Sequence, residues 1–158
     1  MTVAIPAKPA TIRAATAADH AAASLLYQST MSDSFVLNAD LWAAVCTTTE
    51  KYRTLVAEDA TGAVAGLAVV VISDRIRLAA GTRRRRFHVD DLIVSPSNRR
   101  QGIGRALLEH IKVLAAAESP SYLLINCNFM NVAARRTYEA AGLTLMREGG
   151  DRFEITFK

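Results

Sequence analysis

Apolar and polar positions alternate along the chain in two periods, and the change from one to the other marks its elements. Ala10 to Ala14 fits a short strand. From Thr16 the period becomes helical, with Ala18, Ala22, Leu25, Leu26 and Ser29 on one stripe. Thr16-Ala17-Ala18-Asp19 gives that helix an N-cap with an acid three residues on. The segment 31–37 (MSDSFVL) breaks the pattern. Asn38 can cap a second short helix through Leu41, Trp42 and Val45, which the β-branched run Thr47 to Thr49 ends. Tyr52 to Glu58 and Ala63 to Ile72 read as a hairpin about Asp59-Ala60-Thr61-Gly62. The second of these strands is continuously apolar (AVAGLAVVVI), which predicts a place inside the sheet. Gly66 within it marks a bulge or a close approach of another backbone.

Ser73 to Thr82 reads as a connector and Arg83 to Val94 as a fourth strand. A helix follows, with Ile103, Leu107, Ile111 and Leu114 on one face and Glu109 and Lys112 outside. Ser119-Pro120 ends it. Tyr122 to Cys127 is a fifth strand, and the helix between two strands predicts a parallel crossover. Asn131 opens a further helix over Ala133 to Ala141, closed by Gly142. Leu143 to Glu148 and Arg152 to Phe157 are two last strands about the turn Gly149-Gly150-Asp151. The predicted order is β-α-α-β-β-β-α-β-α-β-β, an α/β fold with a mixed sheet. Residues 1–9 read as a loose arm.

Composition narrows the class. At 158 residues the chain reads as one domain, able to bury about two thirds of its unfolded surface without staples. No apolar run reaches the length of a membrane span, so no membrane partner is expected. The start of the chain has no apolar signal core and is interrupted by Pro6 and Pro9, so the expected compartment is the cytoplasm. Cys46 and Cys127 fit a reduced compartment. With His20, His88 and His110 they form no ligand spacing, and no metal is expected. The net charge of +4 suits an anionic cofactor, an acidic substrate or nucleic acid, and names none of them.

The chemistry concentrates in 89–108 (VDDLIVSPSNRRQGIGRALL). A strand headed by two carboxylates runs into a basic turn, then two glycines, then a helix. The first amides of a helix have no internal partner, and the helix dipole favours an anion there. Glycine lets the backbone approach a ligand, and arginine supplies forked donors to phosphate. The pattern reads as a pyrophosphate site at a helix N-terminus. It lacks the Gly-Lys-Ser/Thr of a mononucleotide P-loop. Leu107 also stands where a dinucleotide fingerprint needs its third glycine. Arg99-Arg100-Gln101-Gly102-Ile103-Gly104 instead resembles the acyl-coenzyme A loop of the GNAT N-acetyltransferase family. A second stretch, 131–143 (NVAARRTYEAAGL), resembles that family's other signature, with Asn131, Ala134, Tyr138 and Gly142 on the matching positions and Thr137 departing from it.

The resemblance covers about the whole chain and implies the acyl-CoA N-acyltransferase fold, an acetyl-CoA co-substrate and a primary amine acceptor. It implies a cofactor-binding set. The loop amides from Arg99 through Arg105 (Arg100, Gln101, Gly102, Ile103 and Gly104 between them) hold the pyrophosphate. The main chain of Leu92, Ile93 and Val94 pairs with pantetheine, and Asn131 bonds the pantetheine arm. Tyr138 protonates the leaving thiolate. An attacking amine must lose a proton, and a carboxylate can take it directly or through water. Asp90 and Asp91 head the strand, and alternation lets only one of them face a given substrate. Asp90 shares parity with Leu92 and Val94 and is favoured, with Asp91 second. Either aspartate also reads as a strand-end carboxylate held by backbone or arginine.

The acceptor side is expected around 31–42, with Asp33, Phe35 and Trp42 as contacts, and at Asn128 beyond the fifth strand. The acceptor class stays open between a small polyamine- or aminoglycoside-like amine and a protein or peptide amine. Arg83 to Arg86 reads as a solvated hairpin end, or as a contact to an acidic substrate, coenzyme A phosphates or nucleic acid. No aromatic residue interleaves the run, which counts against nucleic acid. The competing function is a non-catalytic basic module, binding nucleic acid or sensing acyl-CoA. Members of the family often dimerise, so a homodimer pairing through the final strand as a sheet edge is a further expectation.

Overall fold

The computed structural model describes residues 10–128, 130–146 and 152–158. One seven-stranded mixed sheet runs through them in the order β1-β2-β3-β4-β5-β7-β6. The strands are β1 (Thr11–Ala14), β2 (Tyr52–Glu58), β3 (Val64–Arg77), β4 (Thr82–Val94), β5 (Ser121–Asn126), β6 (Thr144–Met146) and β7 (Arg152–Phe157). Helices α1 (His20–Thr30) and α2 (Ala39–Thr47) precede β2. Helix α3 (Ile103–Ala117) links β4 to β5, and α4 (Val132–Ala140) follows β5. The order of elements is the one the periodicity predicts. The expected loose arm (1–9), the Gly149-Gly150-Asp151 turn and the end of the Leu143 to Glu148 strand lie outside the described residues.

Two apolar layers sandwich the sheet. On one face Leu55, Ala68, Val70, Phe87, Val89, Leu123 and Phe153 pack against Ile103, Leu107, Leu108 and Ile111 of α3 and Tyr138 of α4. On the other, Val56, Leu67, Val69 and Ile93 meet Ala23, Leu26 and Tyr27 of α1 and Trp42 of α2. The α1 stripe therefore lies at Ala23, Leu26 and Tyr27, whereas Leu25 is 68% exposed. A short 3-10 turn over Ala17–Asp19 precedes α1 and sets the helix back, rotating its stripe from the one read from Thr16. The Asp19 carboxylate accepts the Thr16 N–H at 2.8 Å and is clamped by Arg13 at 2.8 Å. Arg13 also reaches Glu58 at 2.6 Å, tying β1 to β2 and to the entry of α1.

Two sequence expectations need correction. The connector at 73–82 is mostly strand. The β3–β4 ladder continues to Arg77 opposite Thr82, because alternating polar and arginine side chains suit a two-faced exposed hairpin. The final strand is not an edge, since β7 lies between β5 and β6. Its alternating Phe153 and Ile155 side chains need a covered face, and β6 with α4 supplies it. Gly66 answers to both of its readings. The β2–β3 register slips beside it, and a Cβ there would sit 3.0 Å from Ile93 O and from Ile103 Cγ2. Its missing side chain lets the start of α3 settle on the sheet.

Candidate active site

The loop from β4 to α3 is built to present main-chain donors. Ser95 leads into a 3-10 turn over Pro96–Asn98. Arg100 (φ +64°) and Gly102 (φ +81°) are both left-handed, and Gly102 is the N-cap of α3. Turns of this kind gather N–H groups into an anion-binding concavity. Ile103, Gly104 and Arg105 form the first turn of α3, and their amides find no acceptor among the described residues. The side chains of Arg99, Arg100, Gln101 and Arg105 are exposed around them. Arg99 Nε donates to Val94 O at 3.4 Å and Gln101 Nε2 to Ser97 O at 3.3 Å, which hold the loop to its own turn.

Beside the loop, β4 and β5 part. The two strands pair in parallel from Arg85–Ser121 to Val89–Ile125 and no further. From Asp90 to Val94, β4 keeps β3 on one side and has no strand on the other among the described residues. Alternate amides and carbonyls of Leu92, Ile93 and Val94 thus form a short open edge, able to take an extended ligand as an added strand. The edge leads directly to the loop donors.

A β-bulge lies at the head of this edge. Val69 pairs with Asp91 but Val70 pairs with Val89, so Asp90 is the extra residue. The bulge overturns the parity argument that favoured Asp90. Val89, Leu92 and Val94 face α3, while Asp91 and Ile93 turn to the α1 side. Asp90 is left exposed. Asp91 is half-buried and accepts the Tyr27 hydroxyl at 2.7 Å. Burial raises the Asp91 carboxyl above the usual carboxylate range. The Tyr27 hydrogen bond opposes that shift, and the nearby Asp90 charge adds to it. Phe35 stacks on Tyr27, with ring centroids 5.4 Å apart. Asp91, Tyr27 and Phe35 therefore form one cluster beside the open edge. Sequence reasoning missed Tyr27; its only signal is a place on the α1 stripe, where an aromatic reads as core.

Tyr138 lies across the sheet from Asp91. It is 7% exposed and packs edge-on against Phe153 with ring centroids 5.4 Å apart. Burial first, and the neighbouring Cys127 second, push its hydroxyl up to about 12. Asn131 caps α4 by accepting the Ala134 N–H at 3.1 Å. Cys127 Sγ donates to Asn128 O at 3.3 Å. His88 is half-buried on the α1 side, within 3.2 Å of Asn126 Nδ2. Burial lowers its pKa.

The expected acceptor residues divide. Phe35 joins the Asp91 cluster. Trp42 does not contact an acceptor: it is 2% exposed in the core and donates Nε1–H to Thr16 O at 3.0 Å. Its bulk suits the core, whereas the family resemblance had put it on the acceptor side. Asp33 is exposed on the α1–α2 loop. The Asn128 side chain accepts the Met130 N–H at 2.9 Å, so it shapes its own turn. The arginine run is more than a solvated end. Arg83 and Arg85 pair with Asp74 at 2.6 and 3.3 Å, and Arg85 also pairs with Glu118 at 3.0 Å. Arg84 lies over the Tyr122 ring at 4.9 Å. Among the described residues no cluster of three or more His, Cys, Asp and Glu could hold a metal ion, and no helix is long and apolar enough to cross a membrane.

Comparison with known proteins places this geometry. No curated protein matches the chain. Among solved structures, yncA of Salmonella typhimurium with its cofactor acetyl-CoA superposes with a TM-score of 0.71 at 19% identity, over 96% of this chain and 95% of that one. A GNAT superfamily phosphinothricin acetyltransferase from Sinorhizobium meliloti in complex with AcCoA gives 0.72 at 21% identity, over 95% and 89%. Arabidopsis thaliana NAA60 in complex with a bisubstrate analogue gives 0.75 at 12% identity, over 94% and 99%. At these identities the likeness is one of fold. The profile of the acetyltransferase (GNAT) domain matches residues 50–142, more than half of the chain. That span runs from the approach to β2 through the residue that closes α4, and takes in both the parted strands and the Tyr138 motif: the chain belongs to the GNAT acetyltransferase family.

Proposed function

We infer that the protein moves an acetyl group from acetyl-CoA to a primary amine by direct attack, with the chain acting as one acetyltransferase domain. The open edge of β4, continuous with the unpartnered amides of α3, carries the reading. An anionic, extended ligand with a pyrophosphate at one end and an amide-bearing arm at the other fits both parts. The amides of Ile103, Gly104 and Arg105 and the guanidiniums of Arg99 and Arg100 would hold the pyrophosphate. Leu92 to Val94 would pair with the arm, and Asn131 would reach it from α4. The main-chain amide near Val94 would polarise the acetyl carbonyl and stabilise charge developing on its oxygen.

Acetyl-CoA supplies an activated acyl group; the rest of the reaction is proton management. Asp91 fits the base better than Asp90. It faces the α1 side, and its raised pKa brings its basicity closer to the task. The amine would lose its proton to Asp91, directly or through water, as its nitrogen bonds the acyl carbon. The C–S bond breaks and the thiolate takes a proton from Tyr138, whose raised pKa keeps it protonated at neutral pH. Base and acid stand on opposite faces of the sheet, and would approach the gap between β4 and β5 from its two sides. Tyr27 and Phe35 would line the acceptor side.

Thermal unfolding with and without acetyl-CoA tests the reading. Ligand at a hundredfold above Kd adds about 2.7 kcal/mol. For a domain of this size that is a rise of roughly 5–10 °C. A rise of that order is expected. No shift with acetyl-, longer acyl- or free coenzyme A would make the loop structural and return the protein to the class of basic binding modules.

A further inference from the structure

The hairpin extension that the sequence did not foretell builds a second feature, remote from the cofactor loop. Cross-strand register puts Arg75 and Arg77 of β3, Arg84 of β4, Tyr122 of β5 and Arg152 and Glu154 of β7 on one sheet face. It is the face that α1 and α2 cover over Val69 and Ile93. Here no described helix covers it, and a groove of about 610 Å³ runs along it. Among the described residues five arginines line the groove, Arg83 included, with one carboxylate, Glu154, which Arg152 approaches at 3.7 Å. Arg75 and Arg77 are exposed and have no acidic partner among the described residues. Two buried polar atoms also lack a hydrogen-bond partner, the Tyr122 hydroxyl and Arg152 Nε, and both residues line the groove. Tyr122 is only 4% exposed. A buried donor left unmatched costs about 1–3 kcal/mol, and an arriving acceptor group removes that cost.

Which anion fits? A phosphodiester backbone offers acceptors only, and would bring no donor to Glu154, whose one ionic partner among the described residues is Arg152 at 3.7 Å. A polypeptide offers both carboxylates for the arginines and main-chain N–H groups for Glu154. Stacking of nucleobases is also disfavoured, because Arg84 already covers the groove's one aromatic ring. Beyond the groove the same face of β4 carries Arg86 and His88 and then Asp91. Arg84 and Asp91 are seven residues apart in sequence, six ladder steps once the bulged Asp90 is set aside, or about 20 Å along a strand at roughly 3.3 Å per residue.

We propose that this arginine groove docks an acidic segment of the acceptor polypeptide, roughly six residues from the amine that is acetylated. The proposal rests on the acetyl-transfer reading and names its substrate class.

The test uses two peptides with one free amine each: one carrying three Asp or Glu about six residues away, the other Asn and Gln in their place. Binding is read by fluorescence anisotropy of the labelled peptides, and transfer by thiol release. The acidic peptide is expected to bind at least about tenfold tighter at low salt, with affinity falling steeply as salt rises. In the R75Q/R77Q double variant its KM should rise about tenfold with kcat unchanged, and R75K/R77K should restore most of the loss. Turnover of a small alkylamine serves as the fold control and should not change. Equal affinity for the two peptides, or an unchanged KM in R75Q/R77Q, would overturn the proposal. So would a short duplex or inorganic pyrophosphate that displaces the acidic peptide at matched charge. Acidic-peptide binding that R75Q/R77Q removes, in a protein that acetylates no amine, would sink the acetyl-transfer reading and leave the groove standing as a docking site.

Discussion

Asp91 and Asp90 are adjacent carboxylates with different surroundings, and one inserted residue makes the difference. Asp91 sits beneath Tyr27, where burial raises its pKa. Activity that needs its ionised form should fall as pH drops, on an acidic limb lying above the usual carboxylate range near 4. The two neighbours should move that limb in opposite directions. Tyr27→Phe removes a donor that stabilises the carboxylate, so the limb should shift to higher pH. Asp90→Asn removes a like charge, so it should shift lower. Asp91→Asn should remove the limb and cost about 10²–10⁴ in kcat. A pH–rate profile of thiol release for the three variants checks this, and a limb that Asp91→Asn leaves in place would transfer the base role elsewhere. The sequence made the pair of acids conspicuous but could not choose between them. Parity along a strand is legible only while the ladder is regular, and nothing in Val-Asp-Asp-Leu announces a bulge.

At the scale of elements, the start of α3 and the middle of β3 are fitted to one another at Gly66. A methyl group there would lie 3.0 Å from the carbonyl oxygen of Ile93, a backbone atom that cannot swing aside. Gly66→Ala should therefore destabilise by about 1–3 kcal/mol through overpacking. Lost unfolded-state freedom offsets roughly 0.4–1 kcal/mol of that. The expected net is a fall in Tm of roughly 2–8 °C, with weaker acetyl-CoA binding because the first turn of α3 is displaced. Calorimetry with and without acetyl-CoA measures both; an unchanged Tm together with unchanged affinity would show that α3 tolerates the shift. Most elements were readable because their cores are periodic: α3 buries Ile103, Leu107 and Ile111 as its spacing predicts. The hairpin beyond Ile72 was not. Its ladder carries arginines and Asp74 on exposed faces, and apolar alternation, the usual strand signal, is missing there.

Across the whole molecule, charge ties the first strand to the rest. Arg13 bridges Asp19 and Glu58, and its hydrogen bonds, outweighing the opposing effect of burial, hold Asp19 down to about 2. A carboxyl depressed by folding adds stability that is complete above its unfolded value near 4 and is lost as pH falls through about 2. Acid titration of thermal stability should thus show a steep decline between pH 4 and 2, and Asp19→Asn should lower Tm at neutral pH while flattening that decline. An unaltered slope would assign acid sensitivity to other carboxylates. The order of elements, the parallel crossover and the two motifs were all legible from sequence. The strand order was not, because the position of β7 between β5 and β6 depends on which face each short strand can bury.

That position has a consequence for how the protein is made. The ribosome releases the chain from its first residue onward, yet β7, the last strand described, is the one that joins β6 to the sheet and closes the outer side of β5. Until Arg152 to Phe157 has been synthesised, β5 can pair only with β4 and β6 has nothing to pair with. One wall of the cleft is therefore supported only once this strand has been made, and a growing chain that already carries both signature motifs is still without a finished site.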